Sequence, residues 1–391
     1  MVPELRKKFN AEFTDKAYRA FVQELDTTYR YPLDFRVSET PLFLSEEITR
    51  ELISAGDLIL ATLQSKEFTS HASTAVPPAW NVPRETAHPA FLQLDFAICQ
   101  NDSGEFSPQL IELQGFPSLY CYQAAHDAAT RHNFRVPSGY GSYFGGLTFE
   151  TYLGVLRNLI VGTRDPSSVV LLEVDPERQK TRIDFACTEK MLGIPTVDLV
   201  KIIKKGRKLS YERDGKEFPI ERIYNRVIVD DLEKKKVQSS FKFTDDMDAE
   251  WVGHPNWFYR ISKHTLPFLK NKYVPPCMFL DDLRSLPDDL GEYVLKPLYS
   301  FAGSGVKVDL TRADLDAISD RHSYILQKKV TYAPLVQTPD GYAMAEVRMM
   351  YVWETRPLLV NNLVRMSKGK MMGVAFNKDK TWVGSSIAYH P

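Results

Sequence analysis

The clearest helical spacing in the chain follows Ser45, where Glu46 and Glu47 precede apolar positions at Ile48, Leu52, Ala55 and Ile59. Apolar residues recurring every three to four positions line one face of a helix, and a serine followed by acids suits its start, where backbone N–H groups lack partners. The pattern predicts a helix over residues 45–64 within a helical N-terminal segment, 1–86. The stretch PPAWNVPRETAHP, Pro77 to Pro89, interrupts regular structure and marks a boundary or surface loop.

From Phe91 the period changes to two. FLQLDFAI predicts a strand, NDSGEFSP a turn-rich loop and QLIELQG a second strand, together a hairpin. Helices are predicted over residues 120–131 and 148–160, on either side of a glycine- and tyrosine-rich loop, PSGYGSYFGG. Next, VVLLEV reads as a buried strand, residues 179–192 as a helix stopped by Gly193, and TVDLV as another strand, which is the order of a parallel βαβ unit. KLSYERDGKEFPIERIYNRVIV predicts a hairpin turning on Asp214 and Gly215.

The last third alternates again. A helix over ISKHTLPFLKN leads to the strand EYVLKPL, the loop YSFAGSG, a strand VKVDL, a helix from about Arg312 and the strand SYILQKKV. Two further strands, YAMAEVRMMYVW and RPLLVNNLVRMS, follow in hairpin order. The chain is therefore expected to be α/β (α+β), with a small Rossmann-like α/β subdomain at 166–250 between a hairpin-bearing segment, 87–165, and a C-terminal segment, 251–391.

Composition narrows the function classes. With 391 residues, 43% hydrophobic and 25% charged, the chain has room for two or three packed subdomains and an ordinary soluble character. Its 49 basic and 50 acidic residues nearly cancel, which removes the electrostatic case for nucleic acid or an anionic membrane as main partner. No apolar leader or run long enough to span a bilayer appears, so a cytoplasmic location is expected. Cys99, Cys121, Cys187 and Cys277 are far apart and form no CxxC pair, which argues against a zinc cage or a disulfide framework. The eight histidines show no HExxH or similar ligand spacing, and no GxSxG elbow is present.

Candidate chemistry begins in YVLKPLYSFAGSGVKV. Lys296 ends a strand, and Ser300, Gly303, Ser304 and Gly305 lie in the loop that follows. Glycines let backbone N–H groups approach phosphate oxygens, and the lysine neutralises their charge. The segment matches neither GxxxxGK[ST] nor GxGxxG. Downstream, YILQKKV supplies a linker strand carrying Gln327 and Lys328, and the two later strands carry Arg348 and Arg365 as cations for a triphosphate. The N-terminal hairpin adds Asp95 on one strand and Glu112 and Gln114 on the next. Residues 112 and 114 share a face because the side-chain period is two, and such oxygens suit Mg²⁺.

The order lysine strand, glycine loop, linker strand and arginine strands resembles the nucleotide-binding half of the ATP-grasp superfamily. In ordinary members a strand with aspartate and one reading roughly ExN come after the arginine strands. Here the matching residues stand near the other end of the chain, so the arrangement resembles a circularly permuted ATP-grasp, and in particular glutathionylspermidine synthetase and its relatives. LQLDF and IELQGFPSLY are similar to that family's RFDF-like and EYNADTPTSL-like strands. WVGHPNWFYRISKHTLPFL resembles its segment with an SNK-type lysine, at Lys263 here, and YILQ resembles its YIYQ.

The resemblance implies ATP and Mg²⁺ as cofactors. Lys263, Lys296, Ser300, Gly303, Ser304, Gly305, Gln327 and Lys328 would serve the nucleotide, Asp95, Glu112 and Gln114 the metal, and Arg348 and Arg365 catalysis. Residues 166–250 would correspond to a preATP-grasp unit and 251–391 to the nucleotide-binding lobes. The implied reaction activates a carboxylate of a small acid or peptide as an acyl phosphate, which an amine attacks, since phosphoryl transfer needs positioned charge rather than a protein nucleophile. A phosphotransferase without ligation and a non-catalytic nucleotide-binding module are the alternatives. Two positions depart from the family pattern: Gln114 replaces asparagine, and Gln93 replaces the arginine two residues before the aspartate.

Overall fold

The two hairpins that lie at opposite ends of the sequence meet in one sheet. In the computed structural model, which describes residues 1–391 except 102, 230, 231, 233–235, 301, 302, 370, 371, 373–376 and 378, the Asp95 strand (Phe91–Gln100) pairs antiparallel with the Arg348 strand (Gly341–Trp353). The order across this central sheet is Gly384–Ser386, the Arg365 strand (Pro357–Ser367), the Arg348 strand, the Asp95 strand and the Glu112 strand (Phe106–Gln114), with Val336–Thr338 also pairing on the Arg348 strand.

One face of the sheet is apolar. Leu92, Leu94, Phe96, Val347, Met349 and Tyr351 alternate along two strands and pack with Leu52, Ala55 and Ile59 of the helix Glu46–Leu63. That helix starts where the sequence places it, with Ser45 Oγ accepting from the Ile48 N–H. The other face packs Phe91, Met350, Val352 and Leu363 with Tyr120, Cys121 and Ala124 of the helix Tyr120–Asn133, and then turns polar towards Asp95.

The expected parallel unit is present as four strands in the order Glu250–Val252, Arg222–Asn225, Val169–Glu173 and Thr196–Asp198, with the helix Arg182–Leu192 as crossover. It braces the central sheet through Asp184, whose carboxylate accepts from the Leu119 and Tyr122 N–H groups at 3.1 and 2.9 Å and pairs with the buried Arg226. An acid at that helix start complements its unpaired donors and dipole, and so fixes the turn leaving the Glu112 strand.

A third, smaller sheet has the order Cys277–Phe279, Tyr324–Lys328, Tyr293–Pro297, all antiparallel, over its own core of Leu280, Leu295, Leu310, Leu315 and Leu326. This mixed α+β architecture agrees with the expected class.

Three elements differ from expectation. The hairpin on Asp214 and Gly215 forms, but it ends at Ile220. Arg222–Asn225 instead joins the parallel sheet, where Ile223 and Tyr224 are buried, as a central parallel strand requires. The region of ISKHTLPFLKN holds a 3₁₀ segment, Lys263–Phe268, because Pro267 inside it has no N–H to continue an α-helix. VKVDL makes a single bridge, Lys307 to Leu295. Only Leu310 of this segment reaches the core, so it lacks the buried face that holds a strand in register. Among the described residues no helix is long and apolar enough to cross a membrane.

Candidate functional site

Register brings the candidate residues together. Arg348 lies opposite Asp95, Asp95 opposite Glu112, Gln93 opposite Gln114, and Glu346 opposite Arg365. Directly opposed residues share a face, so the row Glu112, Asp95 and Arg348 crosses three strands, with Glu346–Arg365 and Gln93–Gln114 in the adjacent rows of that face. Residues far apart in sequence thus form one charged patch where the sheet's second face leaves its apolar packing.

On the arginine side, Asp95 is 1% exposed and both its oxygens are engaged. Arg348 approaches it with two parallel bonds, Nε to Oδ1 at 2.6 Å and Nη2 to Oδ2 at 2.7 Å, the fork geometry that matches guanidinium to carboxylate. Arg365 donates from Nη2 to Asp95 and also to Glu346. Glu346, 3% exposed, receives the Tyr332 hydroxyl on its other oxygen at 3.0 Å. Burial pushes the Glu346 carboxyl up, and Arg365 opposes that rise. The Arg365 guanidinium is held above its ordinary range because Glu346, Asp95 and Glu112 outweigh its burial.

On the lysine side, the two hairpin strands slip by one residue after Asp95, which leaves Ile111 as an extra residue. A bulge of this kind frees a backbone group from the ladder. Lys296 takes the Ile111 carbonyl at 2.8 Å and donates to Gln327 Oε1 at 2.5 Å, while Gln327 Nε2 donates to the Leu110 carbonyl at 3.1 Å. Burial lowers the Lys296 ammonium to about 8, against the attraction of Glu112. Lys263, 6% exposed, donates to the Ser300 carbonyl at 2.7 Å and stands 3.5 Å from Glu112 Oε2. Burial would raise the Glu112 carboxyl, but Lys263, Arg365, Arg348 and Lys296 together bring it down to about 2.

A pocket opens beside this cluster between the central sheet and the glycine loop, lined by Glu112, Gln114, Phe116, Phe258, Lys263, Tyr299 and Ser300. Its floor depends on Gly115, where a Cβ would stand 2.8 Å from the Trp257 carbonyl. Gln114 Nε2 bonds Gln93 Oε1, and Gln93 in turn donates to the Ser118 carbonyl, so Gln93 is a buried strut and not an open-site cation.

The structure therefore brings together Asp95, Glu112, Gln114, Lys263, Lys296, Ser300, Gln327, Arg348 and Arg365. It leaves Gly303, Ser304 and Gly305 exposed in the loop, and Lys328 exposed on the side of its strand opposite Gln327. Glu346 and Tyr332 were not singled out from sequence. The signal for Glu346 was available in AEVRM, where a period of two puts it on the face of Arg348. Nothing local points to Tyr332.

The donor set decides how a cation fits. Among the described residues no group of three or more His, Cys, Asp or Glu side chains is arranged to hold a metal ion. With both Asp95 oxygens on arginines, Glu112 and Gln114 are the oxygen donors that face the pocket. Two such donors suit Mg²⁺ arriving with phosphates, since that ion keeps few protein ligands and fills its shell from phosphate and water. Four cations, Lys263, Lys296, Arg348 and Arg365, against three carboxylates, Asp95, Glu112 and Glu346, leave one positive charge for an anion.

No family model matches the chain, and no curated protein matches it. Among solved structures, the chain is similar to a glutathione synthetase like-effector from Globodera pallida in apoform, with a TM-score of 0.55 and 12% sequence identity over 100% of this chain and 97% of that one. The likeness at that identity is one of fold, and it spans the whole of the central sheet, the parallel unit and the small sheet described above.

Proposed function

We propose that this chain is an ATP- and Mg²⁺-dependent carboxylate–amine ligase with a circularly permuted ATP-grasp fold. The observation that carries this reading is the sheet in which the Arg348 and Arg365 strands pair directly with the Asp95 and Glu112 strands, placing the cations and carboxylates on one face beside a glycine loop. When bound, ATP would supply the γ-phosphoryl that converts a substrate carboxylate to an acyl phosphate, and Mg²⁺ would balance the charge of the phosphates.

The protein's part is position and charge. Lys296 and Lys263, both buried beside Glu112, would meet the phosphates. Glu112 and Gln114 would hold the cation, Ser300, Gly303, Ser304 and Gly305 would offer backbone donors from the loop, and Gln327 fixes Lys296. Arg348 holds Asp95, and Asp95 holds Arg365, which would balance charge at the reacting end. Phe116, Phe258 and Tyr299 line the pocket, where they would keep water from the acid to be activated and so strengthen each of these interactions.

The test is ADP release by the purified chain with Mg²⁺ and a panel of small acids, peptides and amines, with the products resolved by mass. An amide formed in step with ADP and phosphate is expected, and phosphate left on the acceptor would show a phosphotransferase instead. A second reading, a nucleotide binder without turnover, is favoured by one observation: Asp95 is fully committed to two arginines. Tight Mg²⁺-nucleotide binding with no ADP release from any pair would select it.

A further inference from the structure

Arg365 is held unlike its neighbour. Arg348 spends the Nε–Nη2 edge of its guanidinium on Asp95 and is nearly buried, whereas both hydrogen bonds of Arg365 leave from Nη2, and its side chain is 34% exposed. Its Nε and Nη1 donate to no described residue, so a guanidinium with two fixed anchors keeps an edge without a partner among them. One anchor is Asp95. The other is Glu346, and Glu346 is itself held by a residue from outside the four strands.

That residue is Tyr332. It lies between the linker strand Tyr324–Lys328 of the small sheet and the central sheet, and its backbone is pinned there by a bridge to Cys99 and by the bond from the Ala333 N–H to the Ile98 carbonyl at 2.9 Å. Its hydroxyl reaches Glu346 Oε2 at 3.0 Å. A carboxylate bound on one oxygen by a fixed phenol presents its other oxygen in a defined direction, and a cation bonded to that oxygen is aimed in turn.

We infer that Tyr332 and Glu346 are positioning residues for Arg365, setting its free edge against the terminal phosphoryl group of a bound nucleoside triphosphate. The inference rests on the nucleotide-binding reading above and adds to it Tyr332, in the crossing between the small sheet and the central sheet, and Glu346, on the Arg348 strand. Glu346 also explains a matter of charge. A second acid on Arg365 keeps that guanidinium from collapsing wholly onto Asp95, as Arg348 does, and so preserves an edge for the ligand.

The experiment uses the full chain and two nucleotides, ADP and a non-hydrolysable ATP analogue, each with Mg²⁺, titrated calorimetrically. Tyr332→Phe removes one hydroxyl with no change of charge or ring packing. It is expected to weaken the triphosphate analogue about tenfold, the worth of one hydrogen bond to a charged group, and to leave ADP within about twofold. In an Arg365→Ala background the same change should have no further effect, because residues acting through one another are non-additive. Equal losses for both nucleotides, or additive effects of the two substitutions, would overturn the positioning role while leaving the nucleotide reading intact. Failure of the unsubstituted chain to bind either nucleotide would remove both.

Discussion

The arginine side and the lysine side of the cleft sit one strand apart and are built on different terms. Asp95, Glu346, Arg348 and Arg365 lie within the central sheet and balance one another, two acids against two cations. Glu112, Lys263 and Lys296 span the central sheet, the Lys263–Phe268 segment and the small sheet, with two cations against one acid. The first arrangement is balanced in charge and leaves only the unpaired edge of Arg365 for a ligand. The second has one positive charge to spare and borders the pocket beside the loop, so an anion should enter there. Neighbouring carboxylates on one face can thus serve opposite ends: Asp95 braces, and Glu112 receives.

The comparison is most directly broken by removing each acid. Asp95→Asn should cost about 3–5 kcal/mol of stability in urea unfolding, the range for breaking a buried pair and leaving its cations uncompensated. Glu112→Gln, at a carboxylate whose side chain is 23% exposed and whose replacement keeps an oxygen for Lys263, should cost less. Equal costs would mean that the two sides do not differ. Next in size, Lys296→Met should weaken binding of Mg²⁺–ATP at least about thirtyfold, by loss of a desolvated charge, with the melting temperature unchanged or raised. Retained affinity would move the anion site away from the lysines.

A pH series sharpens the same point. Lys296 sits at about 8 in the folded chain against an ordinary 10.5. The unfolded chain therefore holds more protons between those values, and stability from this group rises with pH across that window. Nucleotide binding should run the other way, because phosphate needs the ammonium. Affinity should fall up to about tenfold from pH 7 to 9, with proton uptake on binding near pH 8. A flat profile would show that Lys296 does not touch the anion. The smallest effect is expected at Gly305, at φ +73° and with a Cβ that would stand 2.8 Å from Pro297 Cγ. Gly305→Ala should cost about 1 kcal/mol and loosen the loop, seen as faster amide exchange there.

Much of this was legible in the sequence because it rests on local periodicity. The 45–64 helix, the two hairpins and the βαβ unit follow from apolar spacing and turn residues. So does the shared face of Glu112 and Gln114. What spacing could not tell is which acid meets which cation, since Asp95 and Arg348 become partners only through pairing between distant strands. The bulge at Ile111 is likewise invisible from sequence, and it is what gives Lys296 a carbonyl. Tyr332 lies in an irregular crossing, where no period marks a side chain's direction. Pro267 shows the converse: the spacing predicts a helix across it, although the missing N–H that prevents one is readable from the residue itself.

The pairing of Asp95 with Arg348 joins residues 253 positions apart. A ribosome adding about 5–20 residues per second would finish the Asp95 hairpin on the order of ten seconds to a minute before its partner emerged. During that interval a strand destined for the middle of a sheet is an open edge, carrying an unneutralised acid that discourages pairing with other chains. Such a long-range closure makes for slow folding. The cleft is therefore among the last features of the molecule to exist, and binding competence becomes a measure of completed folding.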